Sequence, residues 1–187
     1  MILDYKDIND LNRYKIMSGT VIPRPIAWIV TDDNGVLNAA PFSYFIPISS
    51  NPALLLVAIG QKDDGSPKDS LANILKTKKA TICFVNKDNV EQVQKCAIQL
   101  KKDESEIEKF EIEVKEIMDG FPPMIASSQS AMFCEYYDTY EIKGDITPII
   151  LELKYQYIDD DRINERNHIN VENIGRCGVA FKALVDL

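Results

Sequence analysis

The sequence has little of what most catalytic sites are built from. Its one histidine, His168, stands in a polar stretch, Arg166-Asn167-His168-Ile169-Asn170. With no second histidine and no nucleophile signature beside it, a catalytic triad or a metal cluster lacks a second member. His168 therefore reads as a surface or loop-packing residue. The glycine loops that cradle nucleotide phosphates are missing too, since neither G-x-G-x-x-G nor G-x-x-x-x-G-K occurs. The acidic run Asp159–Asp161 lacks the spaced oxygen ligands and closing glutamate of a calcium loop, and reads as a solvated turn. Four cysteines, Cys83, Cys96, Cys134 and Cys177, lie too far apart for a zinc site or a redox dithiol. They are expected to be free thiols in a reducing compartment. No apolar run approaches the ~20 residues that span a bilayer. The start, MILDYKDIND, is charged within a few residues, unlike a secretory signal. These features lead us to expect a cytoplasmic protein. A net charge of −8 without a basic stripe argues against nucleic acid as a partner.

What is present is ordinary in bulk and distinctive in order. The chain of 187 residues, 45% apolar and 27% charged, suits one domain. A chain of this size buries roughly 70% of its unfolded surface and needs no covalent staples. Residues 5–17 place Ile8, Leu11 and Ile16 near one helical face, and Ser18-Gly19 supplies a stop. Val21–Thr31 reads as a strand, Asp32-Asp33-Asn34-Gly35 as a hairpin turn, and Val36–Ile48 as the returning strand. After a turn at Asn51-Pro52, the continuous apolar run Ala53–Ile59 predicts a strand buried on both faces. A polar loop, Gln61–Pro67, precedes a helix over Lys68–Lys76, then a strand over Ala80–Val85 and an amphipathic helix over Asn89–Leu100. The charged segment Lys101–Lys109 suggests a solvated helix, and the alternation of Phe110, Ile112 and Val114 suggests a short strand. Gly120-Phe121-Pro122-Pro123 breaks the chain. Strands follow over Met132–Ile142 and Ile146–Ile158, a polar loop over Asn164–Asn173, and a last strand over Gly178–Val185. Six or seven strands that do not alternate strictly with helices favour an antiparallel β-barrel with helical insertions over a doubly wound sheet.

Two local features carry chemistry. Lys68-Asp69-Ser70 sits at a helix start, where free N–H groups and the helix dipole favour an anion. A lysine and a hydroxyl there would add charge-assisted hydrogen bonds to a phosphate; alternatively, Asp69 or Ser70 simply caps the helix. The second feature is the hairpin itself, with Trp28, Phe42, Tyr44 and Phe45 around its turn and prolines at 23, 25 and 41. Aromatics in such a hairpin usually belong to the core. Prolines in a sheet belong at edges, starts or bulges, where a ligand can approach the backbone.

In order along the chain, "PRPIAW" at Pro23–Trp28, the turn Thr31–Gly35 and "NAAPFSYF" at Asn38–Phe45 resemble the flavin reductase-like family of FMN-binding proteins, which includes the flavoredoxins. Supporting matches are Asn51-Pro52, the stretch Lys68-Asp69-Ser70 with Asn73, Glu135, and Ile174–Gly178, covering about Tyr14 to Phe181. The chain departs from the family at Ser70 for threonine, Ala53 for proline, Val179 for glycine and Phe181 for tyrosine.

The resemblance implies a single domain over residues 1–187: a mainly β, six- to seven-stranded antiparallel split β-barrel with helical insertions. It implies non-covalent FMN and a homodimer with the flavin near the subunit interface. Arg24 and Asn38, Ala39, Ala40, Pro41, Phe42 and Ser43 would line the flavin; Lys68, Asp69 and Ser70 would hold its phosphate; Arg176 would add a late contact. The expected activity is NAD(P)H-dependent flavin or acceptor reduction, with an electron carrier lacking its own NAD(P)H oxidation as the alternative. In either case no catalytic side chain is expected, because the cofactor carries the redox chemistry. Pro41 is expected to interrupt the ladder and free neighbouring backbone groups for the ligand, with small Ala39 and Ala40 beside it. A rigid Pro23-Arg24-Pro25 would hold a cation near the ring or phosphate.

Overall fold

The computed structural model describes residues 1–184. Helix α1 (Asp10–Thr20) leads into the hairpin β1 (Ala27–Asp33) and β2 (Val36–Phe42), followed by β3 (Phe45–Ser50) and β4 (Ala53–Gly60). Helix α2 (Asp69–Thr77), β5 (Lys79–Cys83), α3 (Val90–Lys95) and the single turn α4 (Glu106–Lys109) come next. Then follow the short pair β6 (Val114–Lys115) and β7 (Met124–Ile125), the long pair β8 (Ser130–Thr139) and β9 (Ile146–Ile158), and a late hairpin, β10 (Ile174–Cys177) and β11 (Ala180–Ala183). Val185, the expected end of the last strand, lies outside the described residues.

Seven strands form one antiparallel sheet in the order β2-β1-β5-β8-β9-β4-β3. The two edge strands, β2 and β3, are consecutive in sequence and separated only by Ser43 and Tyr44. Laid flat, six strand spacings would hold those edges roughly 29 Å apart, whereas the short link reaches about 11 Å. The sheet must therefore curl until its edges meet. No ladder joins β2 to β3, and the result is a split barrel. Val36–Ile48 is thus not one strand, as the sequence suggested. The chain crosses from one edge to the other at Ser43-Tyr44, and the Tyr44 carbonyl accepts from Ala58 N–H at 2.8 Å.

Side chains alternate along β1 between two cores. Ala27 and Ile29 point into the barrel with Phe45, Val57, Ile74 and Leu151; Trp28 and Val30 point outward beneath Val93, Ile107, Met124 and Phe133. Strand β4 differs from expectation. Leu55, Val57 and Ile59 are buried in the barrel, but Leu54, Leu56 and Ala58 are only half-buried, so its apolar run has one uncovered face. The Asn34-Gly35 turn is as expected: both residues take positive φ, and Gly35 N–H donates to the Asp32 carboxylate at 2.6 Å.

Other boundaries move for physical reasons. The first strand begins at Ala27, because Pro23 and Pro25 offer no donors and only Arg24 forms an isolated bridge, to Arg176. Helix α1 runs through Gly19 to Thr20, and only Ser18 on it is buried; Leu11, expected inside, is exposed. Leu11, Tyr14 and Met17, spaced three apart, form an apolar stripe open to solvent. The expected Asn89–Leu100 helix stops at Lys95. Of the expected Lys101–Lys109 helix only α4 forms, started by Ser105, whose hydroxyl accepts from Glu108 N–H at 3.3 Å. The alternation at Phe110–Val114 yields only β6, paired with β7. No helix among the described residues is long and apolar enough to cross a membrane.

Candidate functional site

Strand β2 is an edge: β1 pairs with one side of it and leaves the other open. Backbone groups on a strand alternate in direction. Ala39 N–H faces the open side, since it donates to the Glu106 carboxylate at 3.0 Å. Pro41, two residues on, faces the same way. Its missing donor therefore costs the β1 ladder nothing, and the expectation of an interrupted ladder is corrected. Pro41 removes a donor from the outer edge, where another strand would otherwise find one.

Three adjoining hollows meet at Pro41. One passes Asn38 and Ala40 and ends among Lys62, Lys68, Ser70 and Glu106, with residues 96–100 as its far wall. The second runs between Tyr14, Ser43, Arg176 and Phe181. The third opens past Phe42, Tyr44 and Gln61 toward Asp145 and Ile146. Together they form a cleft along the open edge of β2.

The first arm is polar and ordered. Ser70 Oγ donates to Asn38 Oδ1 at 2.7 Å, and Asn38 Nδ2 donates to Glu106 Oε2 at 2.9 Å. The same Oε2 receives Ala39 N–H, so one carboxylate oxygen fixes both the edge backbone and the asparagine. Glu106 is 3% exposed. Burial pushes its carboxyl above the usual range, against the opposing donors Ala39 N–H, its own backbone N–H and Asn38, and the nearby Asp69 charge adds to the rise. Lys62 Nζ pairs with Asp69 at 2.7 Å. The residue before α2 is Lys68, and its side chain makes no capping hydrogen bond. Neither Asp69 nor Ser70 caps the helix, since Asp69 turns to Lys62 and Ser70 to Asn38. Among the described residues Lys68 has no carboxylate partner, and it is half-buried on the cleft wall.

The expected site residues are thereby sorted. Asn38, Ala40, Pro41, Phe42, Ser43, Lys68, Asp69, Ser70 and Arg176 all line the cleft. Ala39 does not: its methyl lies in the core, and its contribution is the N–H held by Glu106. Arg24 lies behind the cleft, 5% exposed. Its guanidinium donates to the carbonyls of Ser18, Val21 and Gly178 and to the Ser43 hydroxyl. It is a strut that joins the end of α1, the β10–β11 turn and the cleft residue Ser43. The approach of β10 to this strut is close enough that a Cβ on Gly175 would stand 2.7 Å from Pro23 Cβ. Arg176, its backbone paired with Arg24, lays its side chain over the Phe181 ring at 4.3 Å.

Sequence reasoning missed Glu106, Lys62 and Tyr14 as cleft residues. Only Glu106 left a local trace, the cap pattern Ser105-x-x-Glu108 that starts its helix turn.

The site is thus an edge-strand cleft with a cationic helix start at one end, set on a curled antiparallel sheet. The sequence pattern described as the flavin reductase-like domain matches residues 17–172. The chain belongs to that family. In structure it is similar to nitrilotriacetate monooxygenase component B from Bacillus cereus, with a TM-score of 0.93 at 23% identity, covering 100% of this chain and 96% of that one. It is similar also to a flavin reductase with a split-barrel domain from Shewanella frigidimarina, with a TM-score of 0.84 at 20% identity over 100% and 96% of the two chains. Flavoredoxin of Desulfovibrio vulgaris gives a TM-score of 0.76 at 13% identity over 89% and 90%. These three likenesses speak for the fold.

Proposed function

We propose that the protein is an FMN-binding flavoprotein acting as an NAD(P)H-dependent flavin or acceptor reductase. The observation that carries this reading is Lys68, a cation without a carboxylate partner among the described residues, at the uncapped start of α2 and facing a polar pocket that continues along the open edge of β2. A phosphate there would meet a cation, outward N–H groups of a helix start and the Ser70 hydroxyl. Beyond it, Ala40 and Pro41 keep the wall low, and the outer edge lacks a donor at Pro41, which suits a flat ring lying against the strand. Arg176 and Phe181 close the far end.

When bound, FMN supplies the electron transfer. This chain's residues bind and orient it: Lys68 and Ser70 fix the phosphate end, Ser43 is held in place by Arg24, and the Asn38–Glu106 pair keeps the strand edge from moving. No side chain in the cleft is required as a nucleophile.

A homodimer is part of the proposal. Met17 and Val21 on and after α1, with Ile46 on edge strand β3, expose apolar surface beside half-buried Leu56 and Ala58, around one continuous groove. A contiguous exposed apolar face of this kind supports a second copy as its cover. Light scattering at micromolar concentration is expected to give twice the chain mass; a monomer would remove this part.

The testing experiment is anaerobic mixing of the FMN-loaded protein with NADH and with NADPH, followed by the loss of yellow absorbance. Fast bleaching is expected. Bleaching only with an added reductase would leave an electron carrier in its place.

A further inference from the structure

A further role, which rests on that reading, falls to one residue of the phosphate arm. Glu106 enters from α4, a segment whose charge pattern suggests solvent, and is buried against the same hollow as Lys68. Its Oε2 receives two hydrogen bonds, from Asn38 Nδ2 and Ala39 N–H. Its Oε1 makes no hydrogen bond with another described residue. The ionisable groups facing it are Lys62, Lys68 and Asp69 from the loop before α2 and the start of that helix, and the Cys96 thiol just after α3. From β2 comes only the neutral Asn38. Lys62 is already paired with Asp69. When Glu106 is ionised, two cations thus face two carboxylates, and a phosphate would enter a pocket without net charge. When Glu106 is neutral, the pocket keeps one positive charge, and Oε1 gains a proton that can be donated to a ligand oxygen.

We propose that Glu106 makes this arm selective by protonation: the carboxyl takes up a proton as a phosphomonoester enters, and its ionised form excludes one. The geometry allows this, because both hydrogen bonds to Oε2 persist whether or not Oε1 carries a proton. The buried position already favours the neutral form. A dianionic phosphate beside it would favour that form further, and binding and proton uptake then become linked. The sign follows. Affinity for the phosphorylated flavin falls as pH rises from the carboxyl's range in the free protein to its range in the complex. The fall approaches about tenfold per pH unit when one proton is taken up. Riboflavin, which has the ring but no phosphate, escapes the effect. The phosphate's own second ionisation is common to wild type and variant and cancels in their comparison.

The test titrates FMN and riboflavin against wild type and E106Q, by flavin fluorescence, from mildly acidic to mildly alkaline pH. Glutamine keeps an acceptor for Asn38 and Ala39 but cannot ionise. The expected result is an FMN affinity that falls with pH in wild type relative to E106Q, with riboflavin unchanged in both. Calorimetry of the wild type alone, in buffers of different ionisation enthalpy, keeps the test valid if E106Q folds poorly. It is expected to show protons taken up with FMN and none with riboflavin. FMN curves of equal slope in the two proteins, or no uptake in wild type, would overturn the role of Glu106 while leaving FMN bound. Equal affinity for FMN and riboflavin at every pH would instead overturn the phosphate placement, and this inference with it.

Discussion

Replacing Lys68 with alanine is the sharpest perturbation of the cleft. The ammonium is half-buried and has no carboxylate partner among the described residues, so its removal orphans no other charge. The loss in binding then reports the ligand contact together with the positive charge that Lys68 brings to the pocket. A charge-assisted hydrogen bond in a partly buried site contributes about 1.5–3 kcal/mol, which corresponds to roughly 10- to 150-fold in Kd. Folding should change by less than about 0.5 kcal/mol, as for other surface positions without partners. Fluorescence titration of FMN against wild type and Lys68→Ala measures the first quantity, and urea denaturation of the flavin-free proteins the second. Riboflavin is the internal control, because it should lose almost nothing. An unchanged FMN affinity, or an equal loss for both flavins, would refute the assignment of Lys68 to the phosphate.

Other perturbations separate support from binding. Arg24→Met should lower stability by about 3 kcal/mol in urea unfolding, because the carbonyls of Ser18, Val21 and Gly178 lose a charged donor in a buried place; unchanged stability would show that the strut is dispensable. Gly175→Ala forces apart β10 and Pro23, whose Cβ lies 2.7 Å from the added methyl, and should cost about 1–3 kcal/mol in the same assay. Burial pushes the thiols of Cys83, Cys96 and Cys134 up to about 12. A thiol reagent at mildly alkaline pH should therefore modify only partly exposed Cys177 in the folded protein and all four cysteines after denaturation. Rapid modification of a second thiol in the native state would contradict that packing.

Much of the site was legible because its parts are local. Asn34-Gly35 announced the hairpin, and Lys68-Asp69-Ser70 announced a helix start with a cation on it. Asn38–Ser43 form one run, so naming part of it named most of one cleft wall. Proximity across the chain was not legible. Glu106 lies 68 positions from Asn38 in sequence, and nothing about a charged segment says that one carboxylate turns inward. The break at Ser43-Tyr44 escaped for a related reason: the mostly apolar stretch Val36–Ile48 looks like one strand until the sheet is known to close on itself. Arg24 was recognised as fixed between prolines. Its partners are two nearby carbonyls, of Ser18 and Val21, and the distant carbonyl of Gly178, rather than an external anion. Strand β4 carries a similar lesson, since its apolar run looks buried on both faces while the chain fully covers only one of them.

The most direct measurement is a crystal structure of the protein grown with FMN. The account predicts the phosphate against Lys68 Nζ and Ser70 Oγ at the start of α2, with the ring along the open edge of β2 past Pro41. FMN bound only in the apolar groove beside Ile46 and Leu56, or a cleft without FMN at saturating concentration, would contradict it.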